Sequence, residues 1–438
     1  MRTNRATVLA PIQTHEGGPA RHIAPLMELR RSVLSALLFE DAFYEKGSKQ
    51  AERVAALIAQ CKPQDVAALA VESRQRMYLR HMPLFLIREL ARTKGNGSFV
   101  ASALESCIER PDELTEYLAI YWKDGRTPLS AGSKRGLAKA FRKFNAETLA
   151  KYDRPNAVKL RDVLRIVHSK PTNTEQSAEW KALIAGELPA PDTWEVALSS
   201  GADKKATFER LLKERKLGGL AFLRNLRNMI AANVDVSLMR ERFAGGFGKV
   251  LPFRFVAAMR HAPQFVRELD GAMQRCLADM PKIPGRTGIL VDVSGSMDDA
   301  LSAKSEMTRV DVAAGLAVLA SGICEYPRVF TFSQSLVEVP PYAGLALVDT
   351  IHRSQPHGST MLGASIQRLN QESLDRLMVI TDEQSADRVP NPTAKGYMVN
   401  VANNQHGVGY GPWVHIDGWS ERVFDFVREY EASDLPTA

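Results

Sequence analysis

Cysteine is scarce in this chain, with four residues in 438. Cys61, Cys107, Cys276 and Cys324 match neither a zinc-binding spacing nor the dense pattern of a small disulfide-bonded protein. We therefore expect reduced thiols in the interior. Long apolar runs are also missing, because no stretch of about 20 apolar residues occurs and the first 18 residues contain no signal-peptide core. These absences predict a cytoplasmic protein with no membrane partner.

Catalytic fingerprints are absent as well. The sequence contains no P-loop, no dinucleotide-binding glycine pattern, no nucleophile elbow and no His-Glu-x-x-His zinc motif. An Asp-x-Ser-x-Ser segment is present, but the paired acids of a two-metal nuclease are not. We therefore expect a binding protein and not an enzyme.

The charges are divided unevenly along the chain. Hydrophobic residues make up 45% and charged residues 24%, as in ordinary globular proteins, and the net charge is +7. Residues 1–280 contain 45 lysine and arginine residues against 31 acids, whereas residues 281–438 contain 12 against 19. The first part is therefore basic and the second acidic, and a basic part favours a polyanionic partner.

Residues 1–280 show the spacing of successive amphipathic helices, with apolar residues three and four positions apart. Helices are predicted over residues 23–43, 50–61, 63–80, 83–94 and 99–110. Prolines and glycines between them predict short connections and antiparallel neighbours. The pattern is typical of an all-α array of HEAT-like repeats. A compact irregular helical domain is the alternative, because no clean repeat period is present.

The pattern changes after Met280, where two prolines and a glycine indicate a linker between a first domain, residues 1–280, and a second, residues 285–438. Strands are predicted over residues 287–293, 328–332, 336–339, 376–381, 396–401 and 413–416. Helices are predicted over residues 310–323, 362–371 and 421–431, the last with Ser420 as its N-cap. This alternation predicts a doubly wound, Rossmann-like α/β sheet, which binds ligands at the carboxyl ends of its strands.

Polar side chains follow two of these strands and lie in one further loop. Asp292, Ser294 and Ser296 form the Asp-x-Ser-x-Ser motif where the first strand ends and a loop begins. Thr360 ends a Gly-Ser-Thr triplet, and Asp382 follows another buried strand. Carboxylate and hydroxyl oxygens are the hard ligands that Mg²⁺ prefers, so the three segments predict a site for one divalent cation.

These segments resemble, in order and approximate spacing, the metal-ion-dependent adhesion site of von Willebrand factor A domains. The resemblance implies these ligands: Asp292, Ser294, Ser296 and Thr360 directly, and Asp382 through a water molecule. Two other interpretations stay open. His352 and His357 allow a zinc site, and the loops could form a polar cluster that binds no metal.

The most basic part of the chain is residues 123–170, with 13 lysine and arginine residues against four acids. The residues that we expect to bind phosphates are Lys134, Arg135, Lys139, Arg142, Lys143, Lys151, His168 and Lys170. On adjacent helices they would form a positive surface whose binding weakens as salt rises. Charge alone favours the alternative, an ordinary solvated helix face.

A helical array followed by an A domain resembles the plan of the Ro autoantigen family, whose helical region is the TROVE module. Similar strings extend over nearly the whole chain: Ala150-Lys151-Tyr152, residues 162–171, Leu223-Arg224-Asn225-Leu226, Leu251-Pro252-Phe253-Arg254, and Val414-His415-Ile416-Asp417-Gly418-Trp419. The resemblance implies that the helical repeats close into a ring, with the A domain bridging the two ends.

The same resemblance implies the partners. Single-stranded 3′ ends of misfolded RNAs would enter a basic central hole, and small structured Y RNAs would bind the outer surface. Lys151 and His168 match positions where the family contacts Y RNA, and Arg135 and Lys139 fall in the neighbouring basic helix. The chain would act as a monomer and tether an exoribonuclease.

A protein-interaction module is the alternative function. In that case the metal captures an acidic residue of a partner, as in complexes with AAA+ ATPases, and the helices only support the A domain.

Overall fold

The fold is known from a computed structural model that describes residues 12–20, 24–34, 47–153, 157–189, 192, 194–199, 201–247, 250, 252–278, 280–301, 306–402, 406–418 and 422–433. The helices before the sheet are α1 (Pro25–Leu34), α2 (Gly47–Ile58), α3 (Pro63–Gln75), α4 (His81–Arg92), α5 (Gly97–Cys107), α6 (Pro111–Tyr121), α7 (Ala131–Phe141), α8 (Ala146–Tyr152), α9 (Leu160–Val167), α10 (Thr174–Ala185), α11 (Trp194–Ser199), α12 (Lys204–Lys213), α13 (Gly219–Ala231), α14 (Val236–Ala244), α15 (Pro252–His261) and α16 (Val266–Ala278).

The second part of the chain alternates strands and helices. Its elements are β1 (Ile283–Asp292), α17 (Arg309–Ile323), β2 (Cys324–Phe332), β3 (Leu336–Glu338), α18 (Gly344–His352), α19 (Leu362–Leu369), β4 (Arg376–Thr381), β5 (Lys395–Asn400), β6 (Val414–Asp417) and α20 (Arg422–Ser433). The predicted fold class, a HEAT-like helical array followed by a Rossmann-like α/β sheet, is therefore confirmed.

Helices α1 to α9 form two layers. Odd-numbered helices pack on one another in the series α1, α3, α5, α7 and α9, and even-numbered helices pack in the series α2, α4, α6 and α8. Each layer also contacts the other through consecutive helices such as α3 and α4. This stacking of helix pairs is the arrangement of HEAT-like repeats, so the irregular helical domain is not the fold.

The six strands are ordered β3-β2-β1-β4-β5-β6, and all pairs are parallel except β2 with β3. Chain order reverses on the two sides of β1, because β2 lies on one side and β4 on the other. In open α/β sheets such a reversal leaves a crevice at the carboxyl ends of the two strands. The predicted metal ligand Asp292 is the last residue of β1, and Asp382 directly follows β4.

The apolar core is divided at the middle of the helical part, between Leu188 and Trp194, and not at its end. One cluster lies within α1 to α10 and ends at Leu183. A second cluster begins at Phe208 and continues without a break through α12–α16 into β1 and α17. The last helices and one face of the sheet therefore share a single core. A third cluster covers the opposite face of the sheet, beneath α19.

Both ends of the helical array contact the α/β part. At the amino end, α1 contacts β6. At the carboxyl end, α15 and α16 pack on α17 and α18, and Arg260 donates to both oxygens of Asp311 at 2.5 and 2.6 Å. Asp270 Oδ1 accepts a hydrogen bond from Leu345 N at 2.7 Å. The path of the chain therefore closes on itself, as the ring expected from the family resemblance requires.

Several sequence-based boundaries differ from the structure. The helix predicted over residues 63–80 ends at Gln75, since Tyr78 adopts a left-handed conformation with φ of 56°. The predicted linker contains the beginning of β1, because Ile283 pairs with Cys324 before the irregularity at Pro284 and Gly285. Helix α18 was not predicted. Parts of the first helix predicted over residues 23–43, and Ser420 as an N-cap, lie outside the described residues.

The four cysteines form no disulfide bonds, and Cys107 and Cys324 are buried, whereas Cys61 and Cys276 are half-buried. In the part of the chain that the structure describes, the helices all fall short of the length and apolar character needed to cross a membrane.

Candidate functional site

Four of the predicted metal ligands meet at the carboxyl edge of the sheet. The Thr381 hydroxyl, at the end of β4, donates a hydrogen bond to the Asp292 carboxylate at 2.5 Å. The Asp382 carboxylate accepts a hydrogen bond from the Ser296 hydroxyl at 2.6 Å. Ser294 Oγ lies 3.3 Å from Ser296 Oγ. The two carboxylates and the two serine hydroxyls therefore belong to one buried cluster.

Thr360 lies on the loop between α18 and α19, which hydrogen-bonds to both other loops of this cluster. Gly295 N donates to Gly358 O at 3.0 Å, and Ala386 N donates to Thr360 O at 2.9 Å. Thr360 is 2% exposed. The three loops that the sequence pointed to are therefore adjacent, and the role of their residues as ligands stays a prediction.

The electrostatics of the cluster favour a cation. Asp292 and Asp382 are fully buried, which is a costly arrangement for two carboxylates. Burial and the Asp382 carboxylate raise the pKa of Asp292. Hydrogen bonds from Ser294 N and the Thr381 hydroxyl oppose this increase. A hard divalent cation would reduce the repulsion between the two carboxylates and accept the surrounding hydroxyl oxygens as ligands, so the donor set fits Mg²⁺.

The two histidines considered for zinc contact carboxylates outside this cluster. His352 Nε2 lies 3.1 Å from Asp311 Oδ1, and His357 Nδ1 lies 2.7 Å from Asp298 Oδ1. Among the residues that the structure describes, no group of three or more His, Cys, Asp or Glu side chains could hold a metal ion. The zinc alternative therefore lacks a ligand set there.

Glu383, the residue after Asp382, connects the metal cluster to the first helix. Its carboxylate forms an ion pair with Arg31 of α1 at 2.8 Å, and both side chains are 0% exposed. His415 of β6 contacts the same carboxylate through Nε2, and its Nδ1 lies 3.3 Å from Asp417 Oδ2. This buried group, which we call the α1 junction, consists of Arg31, Glu383, His415 and Asp417.

The sequence did not reveal the α1 junction as a unit. Arg31 and Glu383 are 352 positions apart, and no spacing rule connects residues of two domains. The only signal was the string around His415, which resembles the last strand of the Ro family.

A second contact joins the amino-terminal segment to the loop after β4. The Thr14 hydroxyl donates to Ser385 O at 2.6 Å, and His15 N donates to Gln384 Oε1 at 2.7 Å. Residues 383–387 therefore lie between the predicted metal ligands and the beginning of the helical array.

The predicted phosphate-binding residues lie on α7 and around it. Ser130 caps the helix by accepting a hydrogen bond from Ser133 N at 3.1 Å, and the first turn contains no acidic residue. The exposed basic residues of α7 and of the turn that follows it are Lys134, Arg135, Lys139, Arg142 and Lys143. Helix α7 thus presents one cationic face to solvent.

The loop after α9 adds to this face. His168 ends α9 in the left-handed conformation, with φ of 52°, and is exposed. The Ser169 hydroxyl donates to Ala138 O at 2.8 Å, which places the loop against α7. Lys170 is exposed on the same loop. His168 and Lys170 therefore lie beside the carboxyl half of α7.

Lys151 is on α8, away from the cationic face of α7. Its ammonium lies 5.7 Å from the centre of the Tyr152 ring, which also receives the Arg110 guanidinium at 4.8 Å. The eight predicted residues thus form a main group on α7 and the loop after α9, with Lys151 on a neighbouring helix.

Carboxylates neutralise only part of the cationic face. Lys139 pairs with Glu105 of α5 at 2.9 Å, and Lys143 donates to the backbone oxygen of Glu105. Within the described part of the chain, these predicted residues have no carboxylate partner: Lys134, Arg135, Arg142, His168 and Lys170. Most of the cationic face therefore keeps its positive charge, and its role in binding phosphates stays a prediction.

Close packing holds α7 against α5. A Cβ atom added at Gly132 would lie 2.6 Å from Gly97 O, a distance that real Cβ atoms do not show, so the two backbones are in contact. The close contact that Gly97 and Gly132 permit thus fixes the position of the cationic face relative to α5.

Comparison with known proteins agrees with the family resemblance. Residues 172–242 match the family model of the TROVE domain. The structure is similar to the crystal structure of the Ro (RSR) protein of Deinococcus radiodurans, with a TM-score of 0.58 and 17% sequence identity over 91% of this chain and 97% of that chain. No curated protein matches the sequence. The resemblance to the Ro family is therefore confirmed, through the TROVE segment and through the shared fold.

Proposed function

We propose that this chain is an RNA-binding protein of the Ro type, acting in RNA quality control or as a ribonucleoprotein scaffold. The observation that carries the proposal is the cationic face of α7 and the loop after α9, most of which has no carboxylate partner among the described residues. Cations arranged in this way bind a phosphate backbone because binding releases the counterions of the nucleic acid. The TROVE match lies immediately after this region, at residues 172–242.

The proposal in detail assigns two kinds of RNA ligand to this protein. Single-stranded 3′ ends of misfolded RNAs would enter a basic ring, and small Y-like RNAs would bind its outer surface, with Lys151 and His168 among the contacts. Contacts of the α/β part with α1 at one end and with α15 and α16 at the other support a closed path. Such a ring selects RNA by the accessibility of its ends and not by sequence.

The test is purification without nuclease at low salt, followed by absorbance measurement and electrophoresis of the bound RNA. We expect RNA to co-purify with the natural protein and to be lost from the Lys139→Glu/Arg142→Glu double variant. Arg353→Glu is the matched control, because Arg353 is 79% exposed on the α/β part, far along the chain from α7. Protein that is free of RNA at low salt would contradict the proposal.

A second role is supported by the buried carboxylates at the sheet edge. The residues that would hold Mg²⁺ are Asp292, Ser294, Ser296, Thr360 and, through water, Asp382. When bound, the cation would supply an electrophilic centre that accepts a carboxylate oxygen from a protein partner, for example an exoribonuclease or an AAA+ ATPase. With only one carboxylate in direct contact, the ion keeps much of its positive charge.

Calorimetric titration with MgCl₂ tests this second role. The natural protein should bind one ion, and Asp292→Ala should bind none while keeping its affinity for RNA. Asp298→Ala is the control, since Asp298 is a nearby exposed carboxylate that pairs with His357. Loss of RNA and metal binding together in Asp292→Ala would contradict two independent sites.

A further inference from the structure

A cavity of about 720 Å³ lies where the helical array meets the last helix of the α/β part. We call it the junction cavity; its lining shares no residue with the α1 junction. Arg30 of α1, residues of α3 such as Glu72, and Phe99 of α5 form one wall. Phe426 of α20 forms the other. The volume is in the range of small-ligand sites, and the cavity lies between two parts of the protein, where such sites are common.

Two of the residues that line this junction cavity are exposed aromatic rings. Phe99 is 36% exposed and Phe426 is 38% exposed, although phenylalanine is usually buried. Tyr430, one helical turn after Phe426, is 37% exposed, and the centres of the two rings are 5.8 Å apart. Phe99 and Phe426 both line the cavity and Tyr430 packs beside Phe426, so these rings offer faces on which a planar group can stack.

Small side chains and an ion pair make up the rest of the lining of the junction cavity. Ala67, Ala68, Ser102 and Ala103 leave space between the rings. Arg30 donates to Glu72 at 2.6 Å, so this pair is close to neutral and offers both donors and acceptors. Gln75 and Arg76 also line the cavity, so the polar edge of an occupant meets further polar side chains.

The junction cavity adjoins the cationic face of α7. A Cβ atom added at Gly97 would lie 3.3 Å from Arg135 Nη2, so this guanidinium reaches the first turn of α5, two residues before Phe99. Lys139 pairs with Glu105, six residues after Phe99 on the same helix. Helices α3, α5 and α7 belong to one layer, so a strand bound along α7 can continue directly to the cavity.

We infer that the junction cavity binds an unpaired nucleobase of an RNA strand whose phosphates lie on α7. The inference rests on the proposed function and adds a subsite to it. A nucleobase offers a flat face for the aromatic rings and a polar edge for the Arg30 and Glu72 pair. Such stacking accepts any base, because every base has an aromatic face.

The experiment measures binding of a single-stranded RNA decamer that carries 2-aminopurine, by anisotropy and by quenching of its fluorescence. Phe426→Ala and Phe99→Ala should each weaken binding roughly 5- to 100-fold, as expected for one lost stacking contact. Both variants should leave the slope of affinity against salt concentration unchanged, because no phosphate contact is removed. Phe426→Trp should retain both affinity and quenching.

Two controls distinguish the loss of base stacking from effects that any loss of an aromatic side chain would have on RNA binding. Tyr326→Ala removes an aromatic side chain that is 61% exposed on β2, and it should leave binding unchanged. A blunt-ended duplex offers no unpaired base, so its affinity should be the same for Phe426→Ala and the natural protein.

The outcomes distinguish this inference from the proposed function. If the natural protein binds the decamer and both alanine variants bind it equally well, the nucleobase site is overturned while RNA binding stands, and an apolar side chain of a protein becomes the better occupant. If the natural protein binds no RNA, the proposed function and this inference fail together.

Discussion

Arg31 and Glu383 form a solvent-excluded ion pair, with Arg31 Nη1 2.8 Å from Glu383 Oε1 and both side chains 0% exposed. The pair joins the first described helix to the residue that follows Asp382. Since a buried charge is stable only beside its partner, the pair couples the amino end of the helical array to the loop that holds a predicted metal ligand.

Removing one partner of this pair should be costly. Arg31→Met is expected to lower the free energy of unfolding by about 3–5 kcal/mol, because the Glu383 charge stays buried. Urea denaturation measures the loss. Arg353→Met is the control, since Arg353 and Asp349 are exposed and such pairs contribute less than about 1 kcal/mol. Equal effects of the two substitutions would show that the buried pair does not stabilise the fold.

Stability should fall between neutral and alkaline pH. Burial lowers the pKa of His415, but the Asp417 and Glu383 carboxylates raise it to about 9, above its ordinary 6.5. Arg31 and the stacked Tyr410 ring also face the imidazole. The protonated ring therefore stabilises the fold fully below pH 6.5, and this contribution, roughly 3 kcal/mol, is lost as pH rises from 6.5 through 9.

Thermal denaturation over this pH range checks the expectation. His415→Gln should remove most of the dependence on pH above 6.5. A natural protein whose melting temperature is constant from pH 6.5 to 9.5 would contradict the stabilising role of the protonated imidazole.

Asp292→Asn should stabilise the metal-free fold and abolish metal binding. Since burial and Asp382 raise the pKa of Asp292, its charged form destabilises the metal-free fold. The amide should therefore raise the melting temperature without metal and remove the stabilisation by MgCl₂, which amounts to about 2.7 kcal/mol at 100 times the dissociation constant. Asp298→Asn should respond to MgCl₂ as the natural protein does. An Asp292→Asn protein that MgCl₂ still stabilises would exclude Asp292 as a ligand.

The contact between α5 and α7 should be sensitive to a single methyl group. A Cβ atom at Gly136 would lie 2.7 Å from Leu104 Cβ and 2.9 Å from Ala101 O. Gly136→Ala should therefore destabilise the protein by about 1–3 kcal/mol despite the better helix propensity of alanine. The same change at Gly271, where only the flexible end of Arg275 lies at 3.4 Å, should stabilise it. Chemical denaturation of both variants gives the comparison.

The fold could be predicted where a periodic pattern was long enough. The strand over residues 376–381 was predicted at its observed bounds, because six successive residues of β4 are buried on both faces of the sheet. Helix α18 was missed, since it has nine residues and begins at Gly344, whose φ of 63° is not helical. Proline at position 284 concealed the beginning of β1, where a register irregularity accommodates it.

The sites could be predicted only in part, for a related reason. Asp292 ends one apolar strand and Asp382 directly follows another. Parallel strands bring their carboxyl ends to one edge, so sequence sufficed to place the two residues together. The contacts of Glu383 with Arg31 cross between domains, and no local pattern encodes them. The same holds for the cavity between Phe99 and Phe426, because each of these residues lies in a segment whose sequence has the pattern of an ordinary helix.

The apolar core that α12–α16 share with the sheet determines the order in which the parts of the molecule unfold. Detaching these five helices would uncover an entire apolar side of β1 and α17, so they should melt together with the sheet as one cooperative block. The cationic helix α7 belongs to the other block, which is joined to the sheet at its amino end through Arg31. Mild heat or denaturant should therefore release the helices that carry the cationic face first and leave a compact carboxyl-terminal remnant resistant to protease.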